Sequence, residues 1–203
     1  HALLHLLEDQ YVLFGEWSYS KHSVFYDRLP HYFNEFDVYC RRSQMFLSTA
    51  RRHAMLAGSP VLSVPVLYAG LMPTSPKQLW QLLRHSLAKS LLWRDAFEGV
   101  VARERLPLDL CWKQTDKSDH AEGLYLKVED DEQVLARYKL VRHDFTQTIL
   151  DSGSHHSTRP LIPNLLADGV DLYAPQPLVT WESLGLHTCS SFDELATLSR
   201  STQ

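Results

Sequence analysis

Four short segments carry the side chains from which a reactive site could be assembled. They are Phe14-Gly15-Glu16-Trp17, Glu35-Phe36-Asp37-Val38, Glu122-Gly123-Leu124-Tyr125-Leu126-Lys127 and Arg137-Tyr138-Lys139-Leu140-Val141-Arg142. Carboxylates accept hydrogen bonds from hydroxyls and ligate hard cations, while lysine and arginine bind anions as a point charge and as a planar fork. Arg137 and Lys139 stand two apart, so a strand would project both from one face, where they could touch a single phosphate. Glu122 and Lys127 stand five apart, and a regular strand would send them to opposite faces unless a bulge intervenes. Each segment is weak alone. Glu98-Gly99-Val100-Val101 repeats the Glu-Gly pattern by coincidence, within what reads as a helix.

Other polar groupings have bland explanations. Arg41-Arg42 and Arg51-Arg52-His53 suit a solvated face. Lys21 and His22 could contact phosphate or simply decorate a loop. His155 and His156, near Asp151 and Arg159, lack a spaced third ligand and are not read as a metal site.

The elements that must position these residues follow from local pattern. Tyr11–Trp17 is apolar and aromatic and reads as a strand, and residues 32–39 as another. Ser48 or Thr49 can cap a helix that stops before Gly58. Residues 61–68 are β-branched and interrupted by Pro65, as in an edge strand. Ser75-Pro76 opens a helix whose stripe is Leu79, Trp80, Leu82, Leu83 and Leu87, and a further helix is predicted over 91–103. Residues 123–128 and 134–142 form a β-hairpin across the acidic turn 129–133. A short helix is expected over 144–150, a polar loop over 152–164, and a weakly patterned tail beyond Pro175. Strands and helices without regular βαβ alternation point to an α+β fold.

Composition bounds the class. With 203 residues, 44% of them hydrophobic, the sequence suits one ordinary domain with a small appendage. No apolar run approaches the roughly 18 residues of a membrane span. Cys40, Cys111 and Cys189 are odd in number and widely spaced, which argues against a disulfide framework or zinc site and for a reducing, cytoplasmic setting. A net charge of −4 argues mildly against tight non-specific nucleic-acid binding. The opening His-Ala-Leu-Leu lacks a methionine and a basic leader and reads as a helix entered midway, so preceding sequence is expected.

In this order and spacing, the four segments resemble motifs III, IIIa, IV and V of the nucleotidyltransferases, the superfamily of RNA ligases, DNA ligases and capping enzymes. Residues 11–39 are similar to the signature of a bacterial and viral ATP-dependent RNA ligase family, and residues 151–173 look like its C-terminal portion. The resemblance implies a nucleotidyltransferase (ATP-grasp-like adenylation) domain over 1–150, with antiparallel sheets around an ATP cleft, and a C-terminal extension over 151–203. It implies ATP as the AMP donor, Mg2+ or Mn2+, and RNA ends as partners, with no membrane.

The implied roles fall on individual residues. Glu16 would hold the ribose hydroxyls, with Gly15 allowing close backbone approach, and Phe36 would stack on adenine. Glu122 would bind the divalent metal. Lys139 would contact phosphate, with Arg137 where many relatives have lysine and Lys127 closing motif IV. The resemblance also implies a nucleophilic lysine in a KxDG-like setting ahead of motif III. None of Lys21, Lys77, Lys89, Lys113, Lys117, Lys127 and Lys139 has that setting, so the nucleophile is expected upstream. A DNA ligase or capping enzyme, or a non-catalytic remnant that kept the pocket, are the alternatives.

Overall fold

The computed structural model describes residues 2–73, 75–146 and 159–184. A short helix α1 (Ala2–Leu7) leads into β1 (Tyr11–Trp17), which pairs antiparallel with β2 (Phe33–Cys40). A two-residue strand β3 (Met45–Phe46) adds antiparallel to β2, and β4 (Leu62–Ser63) adds to it in parallel. Helix α2 (Thr49–Leu56) covers this sheet, its start fixed by the Ser48 side chain accepting from the Arg51 amide. Val38, Cys40, Leu47, Leu56 and Val61 form the core between sheet and helix.

The second layer is helical. Trp93, Phe97, Val100 and Val101 of α4 (Trp93–Arg103) bury against Phe25, Cys111 of α5 (Leu108–Lys113) and Ile162. Rings lock this core edge to face: Phe25–Phe97 at 5.2 Å and Phe97–Trp112 at 4.5 Å. The chain around Ile162 is a strap laid along residues 18–31. Its backbone bonds include Lys21 N to Ile162 O, Asn164 N to Tyr19 O and Leu29 N to Leu165 O. The buried Asn164 side chain accepts from the Tyr26 amide and donates to the Ser18 carbonyl.

The third piece is the hairpin of β5 (Gly123–Glu129) and β6 (Val134–Val141), in the predicted place. Gly123 is required there, because a Cβ would stand 2.0 Å from the Leu140 carbonyl oxygen. The fold is mixed α and β with antiparallel pairing dominant.

Four expectations change. Arg52 and His53 are buried on the inner face of α2, where Glu35 pairs with Arg52, rather than solvated. Residues 61–68 pair only at Leu62–Ser63, since Pro65 has no N–H to extend a ladder. Helix α3 (Pro76–Leu82) starts on the predicted Ser75-Pro76 pair but buries no residue, and Leu87 lies beyond its end and is exposed. The sequence reading also passed over α5, only six residues long with Pro107 rather than a side-chain cap at its start. Residues 143–146 are helical, while the rest of the helix expected to 150, together with Asp151, His155, His156 and Cys189, lies outside the described residues.

Candidate functional site

The site is built from the middle of β2 outward. Across β1 and β2, Phe14 faces Asp37 and Gly15 faces Glu35, so Phe36 has no partner and the register slips by one. Such a bulge reverses the alternation of faces on its two sides. Glu35 accordingly joins the face of Val38 and Cys40, toward α2, while Asp37 takes the opposite face, toward the hairpin. Both acids are fully buried. Glu35 pairs with the buried Arg52 of α2 and accepts from Ser63 Oγ at 2.7 Å.

Asp37 is the hub of the other face. Its carboxylate accepts from Tyr125 Oη at 2.6 Å, pairs with Lys127 Nζ at 2.8 Å and meets Arg137 at 3.2 Å. Burial pushes the Asp37 carboxyl up, but the hydrogen bonds of Lys127 and Tyr125 outweigh it and hold it below its ordinary value. Lys127 is itself lowered, by burial and the Arg52 charge, with Asp37 opposing. The two directions are compatible: the Asp37 carboxylate and the Lys127 ammonium each favour the other's charged form.

The hairpin is thus fastened to β2 at its centre. Its tip is fastened too, since Glu129 accepts from both the Thr49 amide and hydroxyl at 3.0 Å, at the start of α2. At its base Arg142 pairs with the buried Asp116 at 2.5 Å and donates to the Ala121 carbonyl at 2.7 Å.

This fastening sets where the sequence-predicted residues lie. The cross-strand pairs are Tyr125 with Lys139 and Lys127 with Arg137, so all four share the hairpin face toward β2. Lys127 turns inward to Asp37 and the Phe36 carbonyl. Arg137 stacks its guanidinium 3.8 Å from the Phe46 ring centroid as well as meeting Asp37. Lys139 stays exposed. Phe36 meets Tyr125 edge to face at 5.7 Å.

Glu122, just before β5, accepts from Tyr26 Oη at 3.0 Å. Burial raises its carboxyl pKa, Tyr26 and the Lys139 charge oppose that, and the charges of Glu16 and Asp116 add to it. Glu16 and Asp116 likewise reach Tyr26, whose hydroxyl lies well above its usual range, first through burial and then through the Glu122 charge. Glu16 itself is exposed and has His22 Nδ1 at 3.7 Å. Glu16, Glu122 and Lys139 are therefore electrostatic neighbours. A Cβ at Gly15 would stand 2.3 Å from Phe33 Cζ, so its missing side chain makes room for a ring of this chain.

Among the described residues no group of three His, Cys, Asp or Glu side chains could hold a metal. Mg2+ commonly takes one or two carboxylates and completes its shell with water and substrate phosphates. Glu122, with the charge of Glu16 and Asp116 acting on it and that of Lys139 opposing, fits such a partial set. Two open concavities, of about 480 Å³ beside Glu8 and Arg41 and about 610 Å³ beside Arg94 and Trp112, have none of the site residues in their walls.

Sequence reasoning missed Asp37, Tyr125, Tyr26 and Asp116 as partners. Only Asp37, adjacent to Phe36, carried a signal, and a lone acid on a strand reads as solvent-facing. No helix among the described residues is long and apolar enough to cross a membrane. In comparison with known proteins, a family model described as RNA ligase matches residues 1–141. No curated protein and no solved structure matches significantly.

Proposed function

The chain belongs to the RNA ligase family, and from that premise we propose that it joins RNA ends by adenylyl transfer, with the adenylate seated between β1, the bulge of β2 and the hairpin. The fold that goes with this reading is a nucleotidyltransferase adenylation domain. Two pieces, the β1–β2 sheet and the β5–β6 hairpin, joined across Asp37 with Lys139 exposed on the hairpin, support it. One observation carries the reading: Glu16 of β1 and Lys139 of the hairpin, far apart in the chain, both lie close enough to Glu122 for their charges to act on its carboxyl.

In this reading Glu16 accepts the ribose hydroxyls, and Phe36, brought out by the bulge, offers its ring to adenine. Lys139 binds the α-phosphate. Lys127 and Arg137 act through Asp37, holding the hairpin at its working distance from β2. Glu122 is the carboxylate for Mg2+ or Mn2+, which when bound neutralises charge developing on phosphorus.

Three displacements follow. A lysine amine attacks the α-phosphorus of ATP and pyrophosphate leaves. The RNA 5′-phosphate oxygen then attacks the same phosphorus and the lysine leaves, regaining a proton. Last, the 3′-hydroxyl attacks the RNA phosphate and AMP leaves. The reading draws the lysine of the first step from outside the seven present here, whereas the last step needs none. Lys21 and Lys89, both buried, are lowered to about 8 chiefly by burial, but each donates to a backbone carbonyl, of Gln114 and Ser118, rather than facing Glu122.

The two buried free thiols, Cys40 and Cys111, suit a reducing cytoplasmic setting. In this reading the strap around Ile162, which packs into the helical core, belongs to the C-terminal extension.

The test supplies 5′-adenylylated RNA, a 3′-hydroxyl acceptor and Mg2+ without ATP. Sealing with release of AMP, lost in Glu122→Gln and in Lys139→Ala, is the expected result. Failure to seal, with no binding of AMP either, would overturn the reading. A parallel incubation with α-labelled ATP reads the lysine directly: no covalent band from these 203 residues is expected.

A further inference from the structure

Away from the hairpin, the helical layer carries a second charged hollow. Its walls are Arg94, Asp109, Trp112, Lys113 and Lys117, around an open volume of about 610 Å³. With Arg94 paired to Asp119, Lys113 and Lys117 outnumber Asp109 in this lining on a chain of net charge −4. Arg94 is engaged, with Asp119 at 2.8 Å and the Lys117 carbonyl at 2.9 Å. Lys113 and Lys117 are exposed, and among the described residues their ammonium groups have no ion pair.

Trp112, in the same lining, is held in place. Its ring packs on Phe97 at 4.5 Å and on Trp93 at 5.8 Å, and its Nε1 donates to Glu98 at 3.1 Å. A half-buried indole held rigid beside two unpaired lysines combines a flat stacking surface with phosphate-binding charge. That pairing is how proteins hold single-stranded nucleic acid, whose bases present π-faces and whose backbone is anionic. An acidic polypeptide would use the lysines but leave the indole face without a partner of its own kind.

One chain link runs from this hollow toward the site above. Lys117 directly follows Asp116, whose carboxylate holds Arg142 and whose charge reaches Glu122. We propose that this hollow seats a single-stranded stretch of the RNA, with Lys113 and Lys117 on backbone phosphates and a base against Trp112. The inference deepens the RNA ligase reading and rests on it.

The test uses a fluorescein-labelled single-stranded RNA with a 5′-hydroxyl and a blocked 3′ end, without ATP or metal. Binding can then be read whether or not any ligation step works. Anisotropy titrations across a salt series compare the chain with the Lys113→Gln/Lys117→Gln variant. Losing two phosphate contacts on a single strand should flatten the slope of log K against log salt by about 1.4 and weaken binding about tenfold at moderate salt. Both lysines are solvent-facing, so the variant should melt with the parent. Tryptophan emission should be quenched by single-stranded RNA in the parent.

An unchanged affinity and slope in the variant would overturn the proposal. So would RNA duplex binding as tightly as single strand, or polyglutamate displacing the RNA as well as unlabelled RNA does. A parent chain that binds no RNA would overturn it also, while leaving the sealing of pre-adenylylated ends to be judged separately.

Discussion

Replacing Asp37 with asparagine tests whether a single buried carboxylate holds the hairpin against β2. Asparagine keeps the shape and can still accept from the Tyr125 hydroxyl, so the change removes charge and little else. Asp37 is 1% exposed and Lys127 is 11% exposed. Removing one partner of a buried pair typically costs about 3–5 kcal/mol, because the other charge is left buried and uncompensated. Lys127 keeps the Phe36 carbonyl and some access to water, so the lower end, about 3 kcal/mol, is expected. Arg137 is 41% exposed and contributes little, since exposed pairs are worth about 0–1 kcal/mol. In a chain of this size about 3 kcal/mol lowers the melting midpoint by about 6–12 °C.

The pH dependence gives an independent check. In Asp37→Asn, Lys127 faces burial and the Arg52 charge with its main support gone, so its folded pKa falls further. Between that value and the unfolded value of about 10.4 the unfolded chain binds more protons, so the variant regains stability as pH rises. At the acid end the parent loses what Asp37 contributes as pH falls from the unfolded value of about 3.9 through the depressed folded one, and the variant has nothing there to lose. Urea denaturation of both proteins across pH reads the difference directly. A deficit below about 0.5 kcal/mol at neutral pH, or one that does not shrink under alkaline conditions, would refute the reasoning.

Gly15→Ala brings a methyl to within 2.3 Å of Phe33 Cζ and 2.8 Å of the Asn34 carbonyl oxygen, so a loss of about 1–3 kcal/mol in chemical denaturation is expected. Gly123→Ala should be worse, because the atom met at 2.0 Å is backbone and cannot swing aside. Glu122→Gln should abolish sealing of pre-adenylylated RNA and yet raise the melting midpoint at neutral pH. The raised Glu122 pKa makes the parent lose stability as pH rises from about 4.3 through the folded value, and the amide does not titrate. Melting curves on either side of that window measure the divergence. Glu129→Gln weakens the carboxylate at the start of α2 and should cost about 0.3–1 kcal/mol, diminishing in high salt.

The parts of the fold that sequence made legible are those fixed by short-range rules. Ser48 caps α2 because a hydroxyl at that position meets a free amide, and the hairpin follows from two β-rich runs around an acidic turn. The acidity of that turn reads as solvation, yet Glu129 is an anchor on α2, a fact that exists only once the two are adjacent in space. The bulge at Phe36 was not legible either. Strict alternation puts Glu35 and Asp37 on one face, and the slipped register separates them onto two. The stripe of α3 shows the converse limit, since apolar periodicity declares an amphipathic helix but does not supply its partner. The proposed site takes Glu16, Phe36, Glu122 and Lys139 from the sequence pattern. The division of labour, with Lys127 and Arg137 turned to Asp37 and Lys139 left open, depends on side-chain geometry that no spacing encodes.

The strap around Asn164 also bears on how the protein comes into being. Tyr26 and the Asn164 carboxamide that accepts from its amide are 138 positions apart. At about 5–20 residues per second of synthesis, Tyr26 waits roughly 7–28 s before that partner is made. Through that interval Phe25 and the aromatic faces of α4 lack Ile162, and the amides of Tyr26 and Leu29 lack their acceptors. The nascent helical layer is therefore an unfinished, adhesive surface, while the β1–β2 sheet under α2 has its paired strands and its apolar core within the first 63 residues. Ribosome-bound intermediates should show the sheet protected early and the helical layer protected only after the strap has emerged.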